Sequence, residues 1–315
     1  MGAEHLLQIE ELRLALPNGQ RLLDGVSLEL EIGQSLGVVG ESGSGKSLTA
    51  LSTMGLSPGL RAQGSLRFNG RELLGLAERD WRRLRGAEIA MIFQDPMTAF
   101  LPVRRIGAQI DEQIRLHERV SKREARARTV RLLGEMGVPD PERTALRFPH
   151  ELSGGLRQRA MIAMALSCRP SLLIADEPTT ALDVTVQAQI LLLLRRLREQ
   201  GAGVMLITHD MGVVAQACTH VAVLYAGVVV ERGPVDAVLR EPMHPYTQAL
   251  LAAIPPLEGP RPPALPTIPG QPPSPETRPT GCVFSPRCVF VRAECAVRPP
   301  MFVHGERQVA CVLAA

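Results

Sequence analysis

Short apolar runs and segments with helical periodicity alternate along most of the chain. Near the start, apolar and polar residues alternate on both sides of a Pro17-Asn18-Gly19 turn signal, which predicts two strands. Later strands are predicted from uninterrupted apolar runs, and helices from apolar residues three or four positions apart. The predicted strands are 12–16, 27–32, 35–39, 64–68, 89–93, 172–175, 204–208, 221–225 and 228–231, and the predicted helical regions are 46–57, 104–137, 152–166 and 186–199.

This order of elements predicts an α/β fold in which helices cover the faces of a parallel sheet, with a hairpin formed by the last two strands. The composition then changes, because residues 255–279 contain eleven prolines. Proline fixes φ and lacks an N–H donor, so this segment is predicted to be an extended linker. We expect a main domain at 1–254 with a helical subdomain at about 95–165, the linker at 255–279, and a small cysteine-bearing tail at 280–315.

Charge and hydropathy exclude several classes of function. The 315 residues carry a net charge of +3, which is too small to argue for a nucleic-acid partner. No apolar run approaches the ~18–20 residues that a membrane helix needs. Residues 1–10 include acidic side chains and lack the apolar core of a signal peptide. We therefore expect a cytoplasmic protein that meets a membrane only through a partner.

Residues 40–47, Gly-Glu-Ser-Gly-Ser-Gly-Lys-Ser, fit the pattern G-x-x-x-x-G-K-[ST] at every defined position. Glycines let the backbone curl until successive N–H groups face one anion, and the following helix adds its positive N-terminus. A Gly/Ser-rich surface loop could carry the same letters, but the apolar strand before it and the helix after it favour a phosphate loop. Lys46 would reach the β- and γ-phosphates of ATP, and Ser47 would bind Mg²⁺. The candidate ATP-binding residues are Gly40, Ser42, Gly43, Ser44, Gly45, Lys46, Ser47 and Leu48.

The apolar strand predicted at 172–175 leads into two acids, Asp176 and Glu177. Acids at a strand end can be solvated and inert, but a phosphate loop in the same chain gives them a chemical role. Asp176 would bind Mg²⁺, through water, together with Ser47. Glu177, one residue further on, would orient or deprotonate the attacking water.

Three further elements narrow the class of protein. Residues 152–159, Leu-Ser-Gly-Gly-Leu-Arg-Gln-Arg, open a predicted helix and offer a second anion site, although Ser153 is also a good helix cap. Gln94 follows the strand predicted at 89–93 and could reach Mg²⁺ and the attacking water. His209 follows the strand predicted at 204–208, where a sheet would place it near the γ-phosphate. Taken singly, Gln94 and His209 would be interpreted as structural residues.

Together these motifs resemble those of ABC-transporter ATPases in their order and approximate spacing, over residues 6–254. The resemblance implies that Glu177 is the general base, that His209 contacts the γ-phosphate, and that Gln94 helps to bind Mg²⁺. In the family, two such domains pair, and the signature segment of one covers the ATP of the other. The residues that would serve the partner's ATP in this way are Ser153, Gly154, Gly155 and Gln158, with Asp183 at the dimer interface.

One departure from the family concerns adenine, which an aromatic residue of the first strands usually stacks on. The first aromatic residue in this chain is Phe68. Stacking on an aromatic face is worth ~1–3 kcal/mol per base in nucleic-acid complexes. The adenine contact here must therefore be aliphatic or cationic, with Arg21 as one candidate.

Longer stretches resemble the D-type ATPases of oligopeptide and dipeptide importers, a group that includes nickel importers. They are residues 45–51, 91–98, 176–189 and 244–251. The resemblance implies a heterodimer with a second, F-type-like ATPase, two membrane permeases, and indirectly an extracytoplasmic solute-binding protein. Residues 99–102, Ala-Phe-Leu-Pro, depart from the group's Ser-Leu-Asn-Pro-like turn near the surface that meets the permease.

The expected function is an ATP-hydrolysing subunit on the cytoplasmic side of the membrane that powers uptake of peptides or a related small solute. The alternative within the group is a nickel or metal-chelate importer. A soluble ABC ATPase that acts on ribosomes or DNA usually has tandem domains or coiled-coil inserts, which this sequence lacks. A purely regulatory subunit would not need intact Lys46, Asp176, Glu177 and His209.

Two of the six cysteines, Cys168 and Cys218, are expected to be buried thiols. The other four crowd into a tail with little core-forming power of its own, and four thiolates suit zinc or an iron–sulfur cluster. Resemblance to the C-terminal extension of peptide-importer ATPases, some of which carry a 4Fe–4S cluster, favours that cluster over zinc; reduced, unliganded cysteines are the remaining alternative. The candidate ligands are Cys282, Cys288, Cys295 and Cys311.

Overall fold

The computed structural model describes residues 5–179, 184–254 and 267–315. The chain forms two compact units. Unit 1 combines Met1–Leu74 with Leu206–Ala315, and unit 2 is Gly75–Met205. Within the described ranges, every helix is too short or too polar to cross a membrane.

Strands and helices alternate through both units. The strands are β1 (His5–Ala15), β2 (Arg21–Glu31), β3 (Ser35–Val39), β4 (Arg61–Phe68), β5 (Arg71–Glu72), β6 (Ile89–Ile92), β7 (Leu172–Asp176), β8 (Gly203–Ile207), β9 (His220–Tyr225), β10 (Val228–Pro234), β11 (Phe302–His304) and β12 (Arg307–Val309). The helices are α1 (Lys46–Thr53), α2 (Glu78–Leu84), α3 (Ile106–His117), α4 (Lys122–Glu135), α5 (Pro141–Ala145), α6 (Gly154–Ala165), α7 (Val184–Glu199), α8 (Met211–Ala217), α9 (Val235–Arg240) and α10 (Pro245–Ala252).

An antiparallel sheet in unit 1 has the strand order β2-β1-β4-β5. β1 and β2 each span eleven residues and are longer than the strands predicted at 12–16 and 27–32. The register of β1 shifts between Ile9 and Leu12, and Glu11 has a φ of 50°, as expected for a bulge. The bulge interrupts the alternation of apolar and polar residues, so the regular alternation is confined to the second part of this strand, within the region 6–40 that the sequence assigns to strands.

A second group of strands in unit 1 contains β3, whose five residues are all buried. β3 pairs in parallel with β9, and β9 pairs antiparallel with β10, which confirms the predicted hairpin. β12 pairs with β10, and β11 with β12, so the C-terminal tail adds two strands that the sequence analysis did not predict.

In unit 2, β6 and β7 are parallel neighbours, with Ile89 opposite Leu172 and Ile92 opposite Ala175. The helical region predicted at 104–137 is two helices, α3 and α4, because the hydroxyl of Ser121 accepts the N–H of Glu124 and starts α4 anew. Strand β8 begins in unit 2 and ends in unit 1. The domain boundaries at 254 and 279 remain predictions.

The C-terminal tail contributes to the core of unit 1 by packing its apolar side chains against other elements of that unit. Phe284 is 2% exposed, and its ring lies 5.2 Å from that of Tyr225 and 5.3 Å from that of Tyr246. Cys282 and Cys295 belong to the same apolar cluster. The tail packs against β9, β10 and α10, whose contribution a count of apolar residues in the tail alone misses.

A buried polar group holds the start of α10. The fully buried carboxylate of Glu231 accepts the N–H of Met243 at 2.8 Å and that of His244 at 3.0 Å. Burial lowers the pKa of His244 to about 3, so its ring is neutral, and Nδ1 accepts the N–H of Tyr246 at 3.0 Å. With Pro245 at the first helical position, these bonds fix where Tyr246 lies.

Cys168 and Cys218, expected to be buried thiols, are both partly buried. Each follows the end of a helix, α6 and α8 respectively. Burial still raises the pKa of Cys168.

The aromatic cluster gives a stability prediction. We expect Phe284→Ala to lower the free energy of unfolding by about 3–5 kcal/mol, because it removes a fully buried ring from between two tyrosines. Phe290→Ala is the matched control in the same tail, since Phe290 is 52% exposed. Denaturant unfolding of both variants checks this, and equal destabilisation by the two would contradict the packing argument.

Candidate active site

The residues predicted to bind phosphate form a tight turn between β3 and α1 in unit 1. Gly40 has a φ of 148°, and a Cβ there would lie 2.1 Å from the carbonyl oxygen of Leu224. Gly45 has a φ of 103°, and a Cβ there would lie 2.5 Å from Leu23 Cδ2. Both positions therefore require glycine for backbone angle and for space, and the turn leaves the N-terminus of α1 without a side-chain cap.

Two polar side chains of this loop are buried. Lys46 is 7% exposed, and its Nζ donates to the carbonyl oxygens of Gly40 at 2.7 Å and Glu41 at 3.0 Å. Ser44 is 3% exposed, and its Oγ has no hydrogen-bond partner among the described residues. A buried hydroxyl without a partner is costly unless a ligand satisfies it, and a phosphate oxygen would do so.

His209 lies beside the start of this loop in the sheet. The N–H of Thr208 donates to the carbonyl oxygen of Val38 at 3.2 Å, so β8 and β3 are neighbours at their last residues. His209 follows Thr208, and Gly40 follows Val39. The exposed His209 thus leaves the same sheet edge as the phosphate loop.

In unit 2, the parallel register of β6 and β7 brings Gln94 and Glu177 together. Ile92 is opposite Ala175, and each candidate residue lies two positions beyond its member of that pair. Gln94 Nε2 donates to Glu177 Oε2 at 3.1 Å, across 83 residues of sequence. Glu177 has a φ of 47°, which turns the chain sharply after the strand. Asp176 is the last residue of β7 and is 4% exposed.

The signature segment begins α6. Ser153 is its N-cap, and its Oγ accepts the N–H of Leu156 at 3.4 Å, so the helix-cap interpretation of Ser153 holds. Gly154 is exposed, and a Cβ there would meet no atom within 4 Å. Gln158 is buried, and its Nε2 donates to the carbonyl oxygen of Pro178 at 2.9 Å. Gln158 therefore holds the residue after Glu177, a contact that the sequence analysis did not predict.

Two further residues, Asp183 and Arg21, are predicted from the sequence to contact a partner subunit and adenine respectively. Asp183, predicted at the dimer interface, lies outside the described residues, which stop at 179 and resume at 184. Arg21, suggested as an adenine contact, donates from Nη1 to Asp24 Oδ1 at 2.9 Å and is 59% exposed in its side chain.

The four tail cysteines line one small pocket together with His244, Phe284 and Phe290. None of the four is in a disulfide. Burial raises the pKa of Cys282, and the neighbouring thiols of Cys295, Cys311 and Cys288 raise it further. Across the described ranges, however, no group of three or more His, Cys, Asp or Glu side chains is arranged to hold a metal ion.

A glycine-rich loop of the form G-x-x-x-x-G-K-[ST] between a buried strand and a helix is typical of the class of P-loop nucleotide-binding proteins. Comparison with known proteins identifies the family. Residues 23–180 match the family described as ABC transporter, and residues 230–295 match that described as oligopeptide/dipeptide transporter, C-terminal region.

Relatives match nearly the whole chain. The oligopeptide transport ATP-binding protein OppD of Salmonella typhimurium is 49% identical, over 95% of this chain and 90% of that protein. The probable D,D-dipeptide transport ATP-binding protein DdpD of Escherichia coli is 47% identical, over 97% of this chain and 95% of that protein. The dimeric structure of MJ0796, a bacterial ABC transporter cassette, superposes with a TM-score of 0.67 at 26% identity, over 73% of this chain and 98% of that one.

The chain therefore belongs to the ABC transporter family, in the group whose members carry the oligopeptide/dipeptide transporter C-terminal region. These matches confirm the resemblance to ABC-transporter ATPases, the α/β cassette fold and the ATPase class that the sequence indicated.

The contact between Gln158 and Pro178 gives a prediction. We expect Gln158→Leu to lower the free energy of unfolding by about 1–3 kcal/mol, because the carbonyl of Pro178 would be buried without a donor. ATP hydrolysis should also fall, since Pro178 directly follows Glu177. The matched control is Gln189→Leu, which changes an exposed glutamine of α7. Unfolding and phosphate-release measurements check this, and identical behaviour of the two variants would contradict it.

Proposed function

We propose that this protein is the ATP-hydrolysing subunit of an importer that takes up di- and oligopeptides or a related small solute. The observation that carries the proposal is the combination of an intact phosphate loop with a C-terminal region of the peptide-transporter type in one chain. Relatives that match 89% to 97% of the chain are described as peptide, oligopeptide or dipeptide transport ATP-binding proteins.

The proposed roles follow the geometry of each residue. The loop from Gly40 to Leu48 binds the phosphates through backbone N–H groups, with Lys46 released from its two carbonyl partners to contact them. Ser47, Gln94 and Asp176 bind Mg²⁺. His209 contacts the γ-phosphate, as its place beside the loop at the sheet edge supports.

Glu177 is the proposed general base. Its carboxylate accepts a hydrogen bond from the amide of Gln94, and this partly exposed acid at the end of β7 is the group that would accept a proton from the attacking water. Ser153, Gly154 and Gly155 serve the ATP of a partner subunit, which the exposed start of α6 supports. Gln158 contributes by supporting the turn after Glu177, and Asp183 belongs to the dimer interface.

The proposed partners are a second ATPase subunit, two membrane permeases and, through them, an extracytoplasmic solute-binding protein. Exposed apolar side chains between Gln94 and α3 support a permease contact on the cytoplasmic side of the membrane. Met97 is 59% exposed, Leu101 is 56% exposed and Val103 is 81% exposed. Single exposed apolar residues are ordinary, but three within seven positions support the proposed contact.

We further propose that the tail binds a 4Fe–4S cluster, with zinc as the competing ligand. The donor set fits, because Cys282, Cys288, Cys295 and Cys311 are unpaired thiols that line one pocket. Iron or zinc would stabilise the thiolate forms that burial disfavours. The thiols would have to converge on the ion, since their described arrangement is not that of a metal site.

Glu177→Gln tests the proposed function. We expect at least a ~100-fold loss of ATP hydrolysis with ATP still bound, because the amide cannot accept the proton of the attacking water. Phosphate release by the complex assembled with its permeases, and uptake of a labelled oligopeptide, measure this. Glu199→Gln, at an exposed position in the same unit, should leave both unchanged. Undiminished hydrolysis would refute the role of Glu177, and uptake of a nickel chelate in place of peptide would favour the alternative cargo.

Metal analysis tests the cysteine site. We expect protein purified without oxygen to contain iron and sulfide in equal amounts and to absorb visible light. Cys288→Ser should lose both signals, whereas Cys218→Ser should keep them because Cys218 does not line the tail pocket. One zinc and no iron per chain would contradict the cluster.

A further inference from the structure

The second residue of the phosphate loop, Glu41, is bonded through all of its polar groups. Its N–H donates to Tyr246 Oη at 2.8 Å, and its carbonyl oxygen accepts from Lys46 Nζ at 3.0 Å. Its carboxylate accepts two N–H groups of Arg287, from Nη1 to Oε2 at 2.6 Å and from Nη2 to Oε1 at 3.0 Å. This loop residue is thus held by the cysteine-bearing tail, 246 positions away in sequence.

Arg287 is itself fixed. It ends a 3₁₀ turn at Ser285–Arg287, directly before Cys288, and its side chain is only 4% exposed. Nε donates to the carbonyl oxygen of Pro269 at 2.8 Å, and Nη1 also donates to Tyr225 Oη at 3.2 Å. The bond to Glu41 raises the pKa of Arg287 above its usual range. A bidentate arginine–carboxylate pair of this kind fixes geometry as well as charge.

The charge of Glu41 matters because of where it lies. A carboxylate within the phosphate loop would repel the negative oxygens of a triphosphate, and partial burial would strengthen that repulsion. Arg287 compensates this charge and turns the carboxylate toward the tail. Arg287 also holds the segment Gly40–Glu41, whose two carbonyl oxygens accept hydrogen bonds from Lys46.

A second tail arginine approaches the loop by another route. Arg298 Nη1 donates to Asp24 Oδ2 at 2.9 Å, and the N–H of Asp24 donates to the carbonyl oxygen of Gly227 at 2.9 Å. The N–H of Gly227 in turn donates to the carbonyl oxygen of Ser44 at 2.8 Å. The tail is therefore connected to the loop at two points, directly at Glu41 and through Asp24 and Gly227 at Ser44.

We propose that Arg287 is a positioning residue of the ATP site, which makes the cysteine-bearing tail a part of the nucleotide-binding apparatus. The proposal rests on the proposed role of residues 40–47 as the phosphate loop. Arg287 does not touch the nucleotide. It acts through Glu41, chiefly by neutralising the carboxylate and to a lesser extent by fixing the loop that carries Lys46.

The test is a double-mutant cycle on the full chain, purified with its tail cysteines intact. We expect Arg287→Met to raise the dissociation constant of MgATP about tenfold, because Glu41 is left as an unpaired carboxylate in the loop. Glu41→Gln alone should change it little. The double variant Arg287→Met with Glu41→Gln should return to within about threefold of the parent, since the repelling charge is gone. Equilibrium titration with a fluorescent ATP analogue measures all four proteins.

Two controls separate the possible failures. Arg307→Met removes a tail arginine that donates to the carbonyl oxygen of Glu241 at 2.8 Å, away from the loop, and should leave MgATP binding unchanged. Lys46→Ala should abolish binding. If Lys46→Ala binds MgATP normally, the proposed phosphate loop fails; if it does not, but Arg287→Met binds normally, the role of Arg287 fails.

Loss of binding in Arg287→Met that Glu41→Gln does not rescue would also overturn the proposal, because it would show general damage to the tail. So would an equal loss in Arg307→Met. Should Arg287→Met fail to fold, Arg287→Lys replaces it. That variant keeps the charge and loses the bidentate geometry, and we expect a two- to fivefold weakening of MgATP binding that Glu41→Gln does not worsen.

Discussion

The candidate ATP site depends first on a backbone that cannot accept side chains. Gly40 and Gly45 stand in the left-handed region, and a methyl group at either would lie within 2.5 Å of Leu224 or Leu23. These two neighbours belong to β9 and β2, so both sheets of unit 1 press against the loop. The curl that presents N–H groups to phosphate is therefore imposed by packing as well as by glycine's freedom.

The second constraint is the register of parallel strands. The carboxyl ends of neighbouring parallel strands lie at the same edge of a sheet. Two residues that follow a pair of opposite strand residues by the same number of positions are therefore placed close together. Gln94 and Glu177 obey this rule in unit 2. The contact is long-range in sequence, but it needs only two apolar runs of the right length and direction, and the order of elements predicts both.

What the sequence could predict follows from this distinction. A local pattern of a few residues is enough to predict the phosphate loop, the buried strands and the hairpin after His220. The bulge at Glu11 is a local feature too, but it breaks the period on which strand prediction relies. The bond of Gln158 to Pro178 and the pairing of Glu41 with Arg287 have no local signature, because either partner alone is an ordinary polar residue.

The tail shows the same limit on a larger scale. Counted alone, residues 280–315 are a short segment from which little core can be built without other elements. Phe284 instead enters a cluster built by Tyr225 and Tyr246, and the hydroxyls of those two tyrosines bond Arg287 and the N–H of Glu41. The rings that complete the core of the tail are thus the rings that hold the phosphate loop. Changes in the packing of the tail must therefore alter the position of Glu41. Because coupling between two sites is reciprocal, ligands that order the loop must in turn stabilise the tail.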